Sequence, residues 1–313
     1  MASKVTVIGT GNFGSTVAFI LAMRGSCHEV VLRGRNIDIA RGKALDMSQA
    51  ANAAREHTIV RAANGPEDMA DSQVVVITAG APRTPGMSRD DLLTKNAAIV
   101  KSYALEIKKY APDAIVVVVS NPLDVMTYVV HKYTGFPRER ILGMAGILDA
   151  ARMAHFIYEK LGYGAGQIRA TVMGGHGDTM VPLPKFTTVA GVPISDLLTT
   201  EEIDEVVTKT RNGGAQIVNL LGDGSAYYAP AKATSVMVEA ILKDTNQIHS
   251  CAVLLEGEYG YSDIVSGVPV MIGTNGGEKI IEMTLNDLQK TRFKHSVASV
   301  QDMVDALCRT GFF

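Results

Sequence analysis

A glycine-rich turn directly after an apolar strand pattern constrains the fold of this chain more than any other feature. Val5–Ile8 leads into Gly9-Thr-Gly-Asn-Phe-Gly14, and a helical pattern follows at about 12–24. In such a G-x-G-x-x-G turn, the first glycine permits a tight bend, the second lets the backbone approach a pyrophosphate, and the third lets helix and strand pack closely. Free amide groups at the helix start then face the anion. The sequence therefore predicts a dinucleotide-binding turn made of Gly9, Gly11, Asn12, Phe13 and Gly14.

Apolar strand patterns alternate with helical patterns through the first half of the chain. The predicted strands are Val5–Ile8, Val30–Leu32, Thr58–Arg61, Val74–Thr78, Ile115–Ser120 and Arg140–Leu142, and the helices lie at about 12–24, 38–53, 90–110 and 122–134. Continuous Val/Ile runs are typical of strands covered on both faces. We predict an α/β protein whose N-terminal part is a Rossmann fold, a doubly wound parallel sheet.

The second half has a different pattern. Helices are predicted at about 148–162, 201–220, 228–243 and 283–309, and strands at 169–174, 248–255 and 268–272. This mixture predicts a C-terminal α+β substrate domain. We place the junction near Ala145, which gives a dinucleotide-binding domain at 1–145 and a catalytic domain at 146–313.

Composition excludes several classes of function. The net charge of −2 favours neither nucleic acid nor an anionic membrane as a partner. Three widely spaced cysteines form neither a metal-binding pattern nor a disulfide framework, so we expect no metal and a reducing compartment. The first strand begins too early for a signal peptide, and no apolar run is long enough to span a bilayer. We therefore predict a cytoplasmic protein.

The end of the second predicted strand bears on which nicotinamide cofactor is bound. Rossmann units usually place an Asp or Glu about 20 residues beyond the glycine turn, where it accepts from the adenosine ribose. Here Arg33, Gly34 and Arg35 stand at that point. A glycine leaves room for a 2′-phosphate, and arginines can bind it bidentately. We predict NADP over NAD; alternatively, both arginines are solvated and Asp38 or the main chain binds the ribose.

Two loops beyond the carboxyl edge of the predicted sheet carry candidate binding groups. The segment 81–89 contains two prolines and a glycine that exclude a regular helix, and it presents Arg83 and Arg89. A loop of this kind can close over a ligand. Asn121 follows the fifth strand and could bond a substrate or a ribose. The simpler alternatives are a solvated surface loop and a turn residue.

A carboxylate–arginine pair and a histidine complete the candidate chemistry. Asp149 and Arg152 are three residues apart, on one helix face, although an exposed pair at this spacing would contribute little energy. His176 stands between glycines that leave it open to a ligand. A lone histidine is more often structural, but a carboxylate, several arginines and a hydride carrier in one fold favour proton transfer.

Taken together, these motifs resemble the lactate/malate dehydrogenase superfamily, most closely the malate dehydrogenases built on the lactate-dehydrogenase plan. The matching segments run in family order and cover most of the chain: 9–14, Gly42-Lys-Ala-Leu-Asp46, Arg83 to Arg89, Ser120-Asn-Pro122, Leu148-Asp-Ala-Ala-Arg152, Gly175-His-Gly-Asp178 and Gly224-Ser-Ala-Tyr-Tyr228. The one departure is Gly34, where the NAD-using members keep an acid.

The resemblance implies hydride transfer between (S)-malate/oxaloacetate and a nicotinamide cofactor, a reaction of the tricarboxylic acid cycle, with NAD as the family default. It implies that His176 donates and accepts the proton and that Asp149 is its partner. Arg152 would bind the C1 carboxylate, and Arg89 would polarise the C2 carbonyl. Asn121 would contact substrate and cofactor, and Asn96 the cofactor.

Arg83 falls where this superfamily discriminates its substrates. A guanidinium facing the far end of the substrate needs a counter-charge, which a dicarboxylate supplies and pyruvate does not. The alternatives are a lactate or other 2-hydroxy-acid dehydrogenase, a cofactor-dependent glycosidase on a related fold, and an NADP(H)-sensing module without turnover. The resemblance also implies a homodimer or a homotetramer.

Overall fold

The first half of the chain forms a parallel sheet flanked by helices. The computed structural model describes residues 3–81, 89–222 and 224–313, and only the backbone of Arg89. The elements in chain order are β1 Lys4–Ile8, α1 Asn12–Met23, β2 Glu29–Arg33, α2 Ile37–Ala53, β3 Ile59–Ala62, β4 Val74–Ile77, α3 Arg89–Tyr110, β5 Ile115–Val118, α4 Leu123–Thr134 and β6 Ile141–Gly143. The strand order β3-β2-β1-β4-β5-β6 confirms the predicted Rossmann fold.

The sequence of the central strands explains their position. β4 and β5 are unbroken Val/Ile runs in which every residue is buried, as expected for strands with helices on both faces. β1 pairs in parallel with β2 on one side and with β4 on the other. The strand order therefore reverses at β1 and β4, and ligands of open α/β sheets bind beyond the carboxyl ends of the strands at such a point.

In its described residues, the second half adds four α-helices and antiparallel strands, of which β12 and β13 are long and the others are short. In chain order these are α5 Gly146–Leu161, β7 Ile168–Arg169, β8 Val172–Met173, β9 Val181–Pro182, β10 Thr188–Val189, β11 Val192–Pro193, α6 Thr200–Leu221, α7 Tyr228–Leu242, β12 Gln247–Glu256, β13 Ser262–Gly273, β14 Gly276–Ile280 and α8 Asp287–Arg309. Capping boxes at Thr199 and Asn286 fix where α6 and α8 begin. No helix in the described ranges is long and apolar enough to cross a membrane.

The large sheet does not stop at the predicted domain junction. β12, β13 and β14 form an antiparallel meander, and β12 pairs with β6 at Ala252 and Gly143, so nine strands make one sheet. The boundary near Ala145 stays a prediction.

Two local predictions were wrong in detail. The strand expected at 169–174 is divided between β7 and β8, which belong to different small sheets. β13 begins at Ser262 rather than near 268, and β14 was not predicted.

Candidate active site

The glycine turn leaves the start of α1 open. Gly9 has a φ of +111°, and a Cβ on Gly14 would collide with the carbonyl oxygen of Gly9, so both positions require glycine. A Cβ on Gly11 would meet nothing within 4 Å, and no side chain caps the helix there. The first amides of α1 therefore face open space, and the turn fits an approaching pyrophosphate.

A cavity of ≈ 490 Å³ lies beyond the carboxyl ends of β1, β2 and β4, and its volume is within the range of about 300–1,000 Å³ that is usual for ligand pockets. Its lining comprises Gly9, Thr10, Gly11, Gly34, Arg35, Asn36, Ile39, Thr78, Ala79, Gly80, Ile99 and Tyr103. The glycine turn and the segment after β2, which the sequence predicts as cofactor-binding, therefore meet at one cavity.

The two arginines at the end of β2 differ in their surroundings. Arg35 lines the cavity, whereas Arg33 points to α3, where its Nη2 lies 3.2 Å from Glu106 Oε2. Burial raises the pKa of Tyr103, and the positive charges of Arg33 and Arg35 oppose that rise. Both guanidinium groups therefore act electrostatically on this corner of the cavity, but Arg33 is already paired.

Packing explains why position 34 is a glycine, which sequence reasoning missed. A Cβ at this position would lie 2.6 Å from Oγ1 and 2.8 Å from Cγ2 of Thr10. The side chain of Thr10 therefore occupies the space into which a residue at position 34 would extend. An acid at position 34 requires the threonine to rotate or to be smaller.

A second group of predicted residues meets between β8 and β9. His176 Nδ1 lies 2.9 Å from Asp149 Oδ2, and Asp149 Oδ1 lies 3.2 Å from Arg152 Nη1. Asp149 is only 1% exposed and sits in the first turn of α5. Because the imidazole donates from Nδ1 to a carboxylate, Nε2 is the nitrogen left for a ligand.

Electrostatics at this histidine favour the protonated form. Burial by itself lowers the pKa of His176, but the charge of Asp149 and its hydrogen bond outweigh that effect and raise the pKa above its ordinary value of 6.5. Arg152 opposes the rise. Its own Nε is buried and has no hydrogen-bond partner among the described residues, so the guanidinium has a free donor beside the histidine.

Asn96 and Asn121 have different positions in the structure. Asn96 is buried on α3, accepts from the Ala81 amide at 2.7 Å and donates to the Asn121 carbonyl at 2.8 Å. It thus ties together the two loops that follow β4 and β5. The side chain of Asn121 is exposed at the end of β5. Arg83 and the side chain of Arg89 lie outside the described residues.

Asp124 is a buried carboxylate that sequence reasoning missed. It lies in the first turn of α4, and its Oδ2 accepts from the backbone N–H of His176 at 2.8 Å. The available signal was an acid three residues after Asn121, at the start of an otherwise apolar helix. Among the described residues, no group of three His, Cys, Asp or Glu side chains could hold a metal ion.

Comparison with known proteins agrees with this geometry. Residues 3–143 match the lactate/malate dehydrogenase NAD binding domain, and residues 147–308 match the alpha/beta C-terminal domain of the same family. The chain therefore belongs to the lactate/malate dehydrogenase family, and the predicted resemblance is confirmed.

Individual relatives cover almost the whole chain. A malate dehydrogenase of Sulfurimonas denitrificans is 64% identical over 99% of this chain and 97% of its own length. The malate dehydrogenase of Cryptosporidium parvum superposes with a TM-score of 0.95 at 39% identity, over 99% of this chain and 100% of its own. A lactate dehydrogenase of the same organism, solved with lactic acid and β-nicotinamide adenine dinucleotide, gives 0.94 at 38% identity over 98% of each chain. The fold alone therefore does not separate the two substrates.

Proposed function

We propose that this chain is a malate dehydrogenase that interconverts (S)-malate and oxaloacetate with a nicotinamide cofactor. The observation that carries the proposal is the buried chain of contacts from His176 through Asp149 to Arg152. A nucleotide sensor has no use for such a proton relay. The names of the relatives favour malate over lactate as the substrate.

The residues of the relay divide the chemistry of reduction among them. When bound, the cofactor supplies the hydride, and negative charge then develops on the substrate's carbonyl oxygen. His176 gives its Nε2 proton to that oxygen, while Asp149 holds the ring in orientation and stabilises the imidazolium. Arg152, whose side chain is only partly buried, binds the C1 carboxylate and fixes the distance to the histidine.

Two further arginines are assigned by family resemblance. We propose that Arg89 polarises the carbonyl and that Arg83 pairs with the distal carboxylate of oxaloacetate. A monocarboxylate such as pyruvate would leave that guanidinium without a counter-charge in a closed site, which costs several kcal/mol. The expected preference is therefore for the dicarboxylate.

An oxidation assay with NADPH or NADH tests the proposal with oxaloacetate, pyruvate and no substrate in parallel. We expect turnover with oxaloacetate. His176→Asn should lower kcat by at least 10²-fold, since general acid catalysis contributes about 10²- to 10⁴-fold. The variant should still bind NADPH. The increase in NADPH fluorescence on binding measures this, since the chain has no tryptophan whose fluorescence could be followed instead. Equal turnover of pyruvate, or an active His176→Asn, would contradict the proposal.

We also propose that the enzyme prefers NADP. Support comes from the absence of an acid at position 34 and from Arg35 at the cavity. With Arg33 engaged by Glu106, Arg35 is the first candidate for the 2′-phosphate and Arg33 the second. Asn96 and Asn121 are proposed to contact the cofactor beyond its pyrophosphate, which the amides of Gly11, Asn12 and Phe13 would receive.

The matched variants for this preference follow from the packing of Thr10. Arg35→Ala should lower kcat/KM for NADPH at least tenfold and leave that for NADH within about threefold, because a charge-assisted bond contributes about 1.5–3 kcal/mol. Gly34→Asp should reverse the preference only together with Thr10→Ala, which clears the space. A wild-type preference for NADH would refute the proposal.

Assembly and location complete the proposal. We propose a homodimer or homotetramer, supported by exposed apolar side chains such as Leu45 on α2 and Leu220 and Leu221 on α6. A cytoplasmic location is proposed from the sparse cysteines, of which Cys27 and Cys251 are buried as free thiols.

A further inference from the structure

The loop that carries His176 is held by three elements that are distant in the chain. The Gly174 amide donates to the Gly267 carbonyl of β13 at 2.8 Å, and the Gly175 amide donates to Ser296 Oγ of α8 at 2.8 Å. The third anchor is Asp124 of α4, which accepts from the His176 amide itself at 2.8 Å. Of the three acceptors, only Asp124 can carry a charge.

Burial of the Asp124 carboxylate is energetically unfavourable, and its hydrogen bonds offset only part of the lost hydration. The residue is 3% exposed, and its Oδ1 has no partner among the described residues. A serine or an asparagine could also accept one amide bond without a buried charge. The first turn of α4 favours a negative charge at Asp124, and the bond to the His176 amide places that charge beside the histidine.

The charges around His176 indicate how Asp124 can act on the imidazole. Among the described residues, the charged groups that act most strongly on the imidazole are Asp149 and Arg152 of α5 and Asp124 of α4. When the imidazole is protonated, two positive and two negative charges balance in this buried group. Without Asp124, the same state would have an excess positive charge away from water, which is unfavourable.

We propose that Asp124 is a positioning residue whose negative charge, held 2.8 Å from the backbone nitrogen of His176, helps to keep the catalytic imidazole protonated for reduction. This inference rests on the proposed function. Asp149 orients the ring through a side-chain bond, whereas Asp124 acts through the backbone and through the field at the site. The histidine thus lies between two carboxylates from different helices.

The titration of Asp124 is consistent with this interaction. Burial raises the pKa of the Asp124 carboxyl to about 6, while the His176 backbone bond and the charge of His176 oppose that rise. Asp149 adds to it by like-charge repulsion. The protons of Asp124 and His176 are therefore coupled, and below about pH 6 the imidazole should lose part of its stabilisation.

Titration of His176 by NMR tests the inference without any substrate. The protein is labelled at histidine Cε1, and His176→Asn identifies the signal of His176 among those of the seven histidines. Asp124→Asn keeps an oxygen acceptor for the amide but removes the charge. We expect the proton affinity of His176 to fall about tenfold, since a nearby opposite charge raises a pKa by about 1–3 units.

Ser296→Ala is the matched control, because it removes a neutral acceptor from the same loop. It should leave the midpoint of His176 within about 0.3 pH units, well below the effect expected for a lost charge. Asp124→Ser replaces Asp124→Asn if that variant does not fold. An unmoved midpoint in the Asp124 variant, or equal movement in the Ser296 variant, would overturn the inference.

Activity measurements separate this inference from the proposed function. The alkaline fall of kcat/KM for oxaloacetate reduction should move to lower pH in Asp124→Asn, by the same amount as the NMR midpoint. If the wild-type protein does not reduce oxaloacetate, the proposed function fails, and the NMR comparison still decides on Asp124.

Discussion

Replacing Asp149 with asparagine should remove most of the proton affinity that His176 gains in the fold. The carboxylate lies 2.9 Å from Nδ1, and its side chain is only 2% exposed. Charge centres about 4 Å apart interact by about 4 kcal/mol at an effective dielectric constant of 20. At about 1.36 kcal/mol for each pKa unit, this interaction corresponds to roughly 3 units, at the upper end of the range of about 1–3 seen for such pairs.

The sign of the change follows from the groups that remain. Burial and Arg152 both lower the pKa of His176, and Asp124 alone opposes them. The pKa should therefore fall from above 6.5 to below it. At pH 7.5, at most about a tenth of the variant would then carry the proton that reduction requires.

The assay is kcat/KM for oxaloacetate reduction between pH 5 and pH 9 at saturating cofactor. We expect activity at pH 7.5 to fall by at least 10²-fold, because proton availability and ring orientation are both lost. The residual activity should rise as the pH is lowered towards 5.5. A variant with the wild-type midpoint, or with less than a threefold loss, would refute the electrostatic argument. Ser296→Ala, which removes a neutral acceptor from the loop that carries His176, controls for general disturbance of the site.

Two further predictions concern stability and assembly. The pKa of Asp124 is raised in the folded state from 3.8 to about 6, so its contribution to stability is fully present below pH 3.8 and is lost as the pH rises through 6. The side chain in Asp124→Asn does not titrate. Its free energy of unfolding, measured with urea, should therefore rise relative to that of the wild type by on the order of 3 kcal/mol between pH 4 and pH 8. A difference between the two proteins that does not depend on pH would contradict this prediction. For assembly, sedimentation should give a dimer or a tetramer at micromolar concentration, and Leu45→Glu should weaken it because this exposed leucine would be buried; a monomeric wild type would contradict the prediction.

The N-terminal half was predictable because its signals are local. The run Val74–Ile77 is apolar at every position, and the glycines that the turn requires at positions 9 and 14 can be recognised in the sequence itself. The C-terminal strands were less accessible, since β14 reads Gly276-Gly-Glu-Lys-Ile280 and forms a strand only through its pairing with β13. Long-range pairing of this kind leaves little trace in a short window of sequence.

The candidate site was also predictable only in part. The residue types of His176, Asp149 and Arg152 indicated proton transfer, but only the fold brings the histidine to the aspartate, 27 positions away. Asp124 was missed because an acid in the first turn of a helix already has an ordinary explanation in the helix dipole. Gly34 was interpreted as space for a phosphate, whereas Thr10 already contacts that space.

The pairing of β6 with β12 joins strands from both halves of the chain in one hydrogen-bonded sheet. A polypeptide ending near Ala145 would expose the hydrogen-bonding edge of β6, which invites association with other chains. The glycine turn follows β1 of this sheet, and the loop of His176 is attached to β13 of the same sheet through the backbone bonds between Gly174 and Gly267. We therefore expect heat or denaturant to unfold both halves in one cooperative transition.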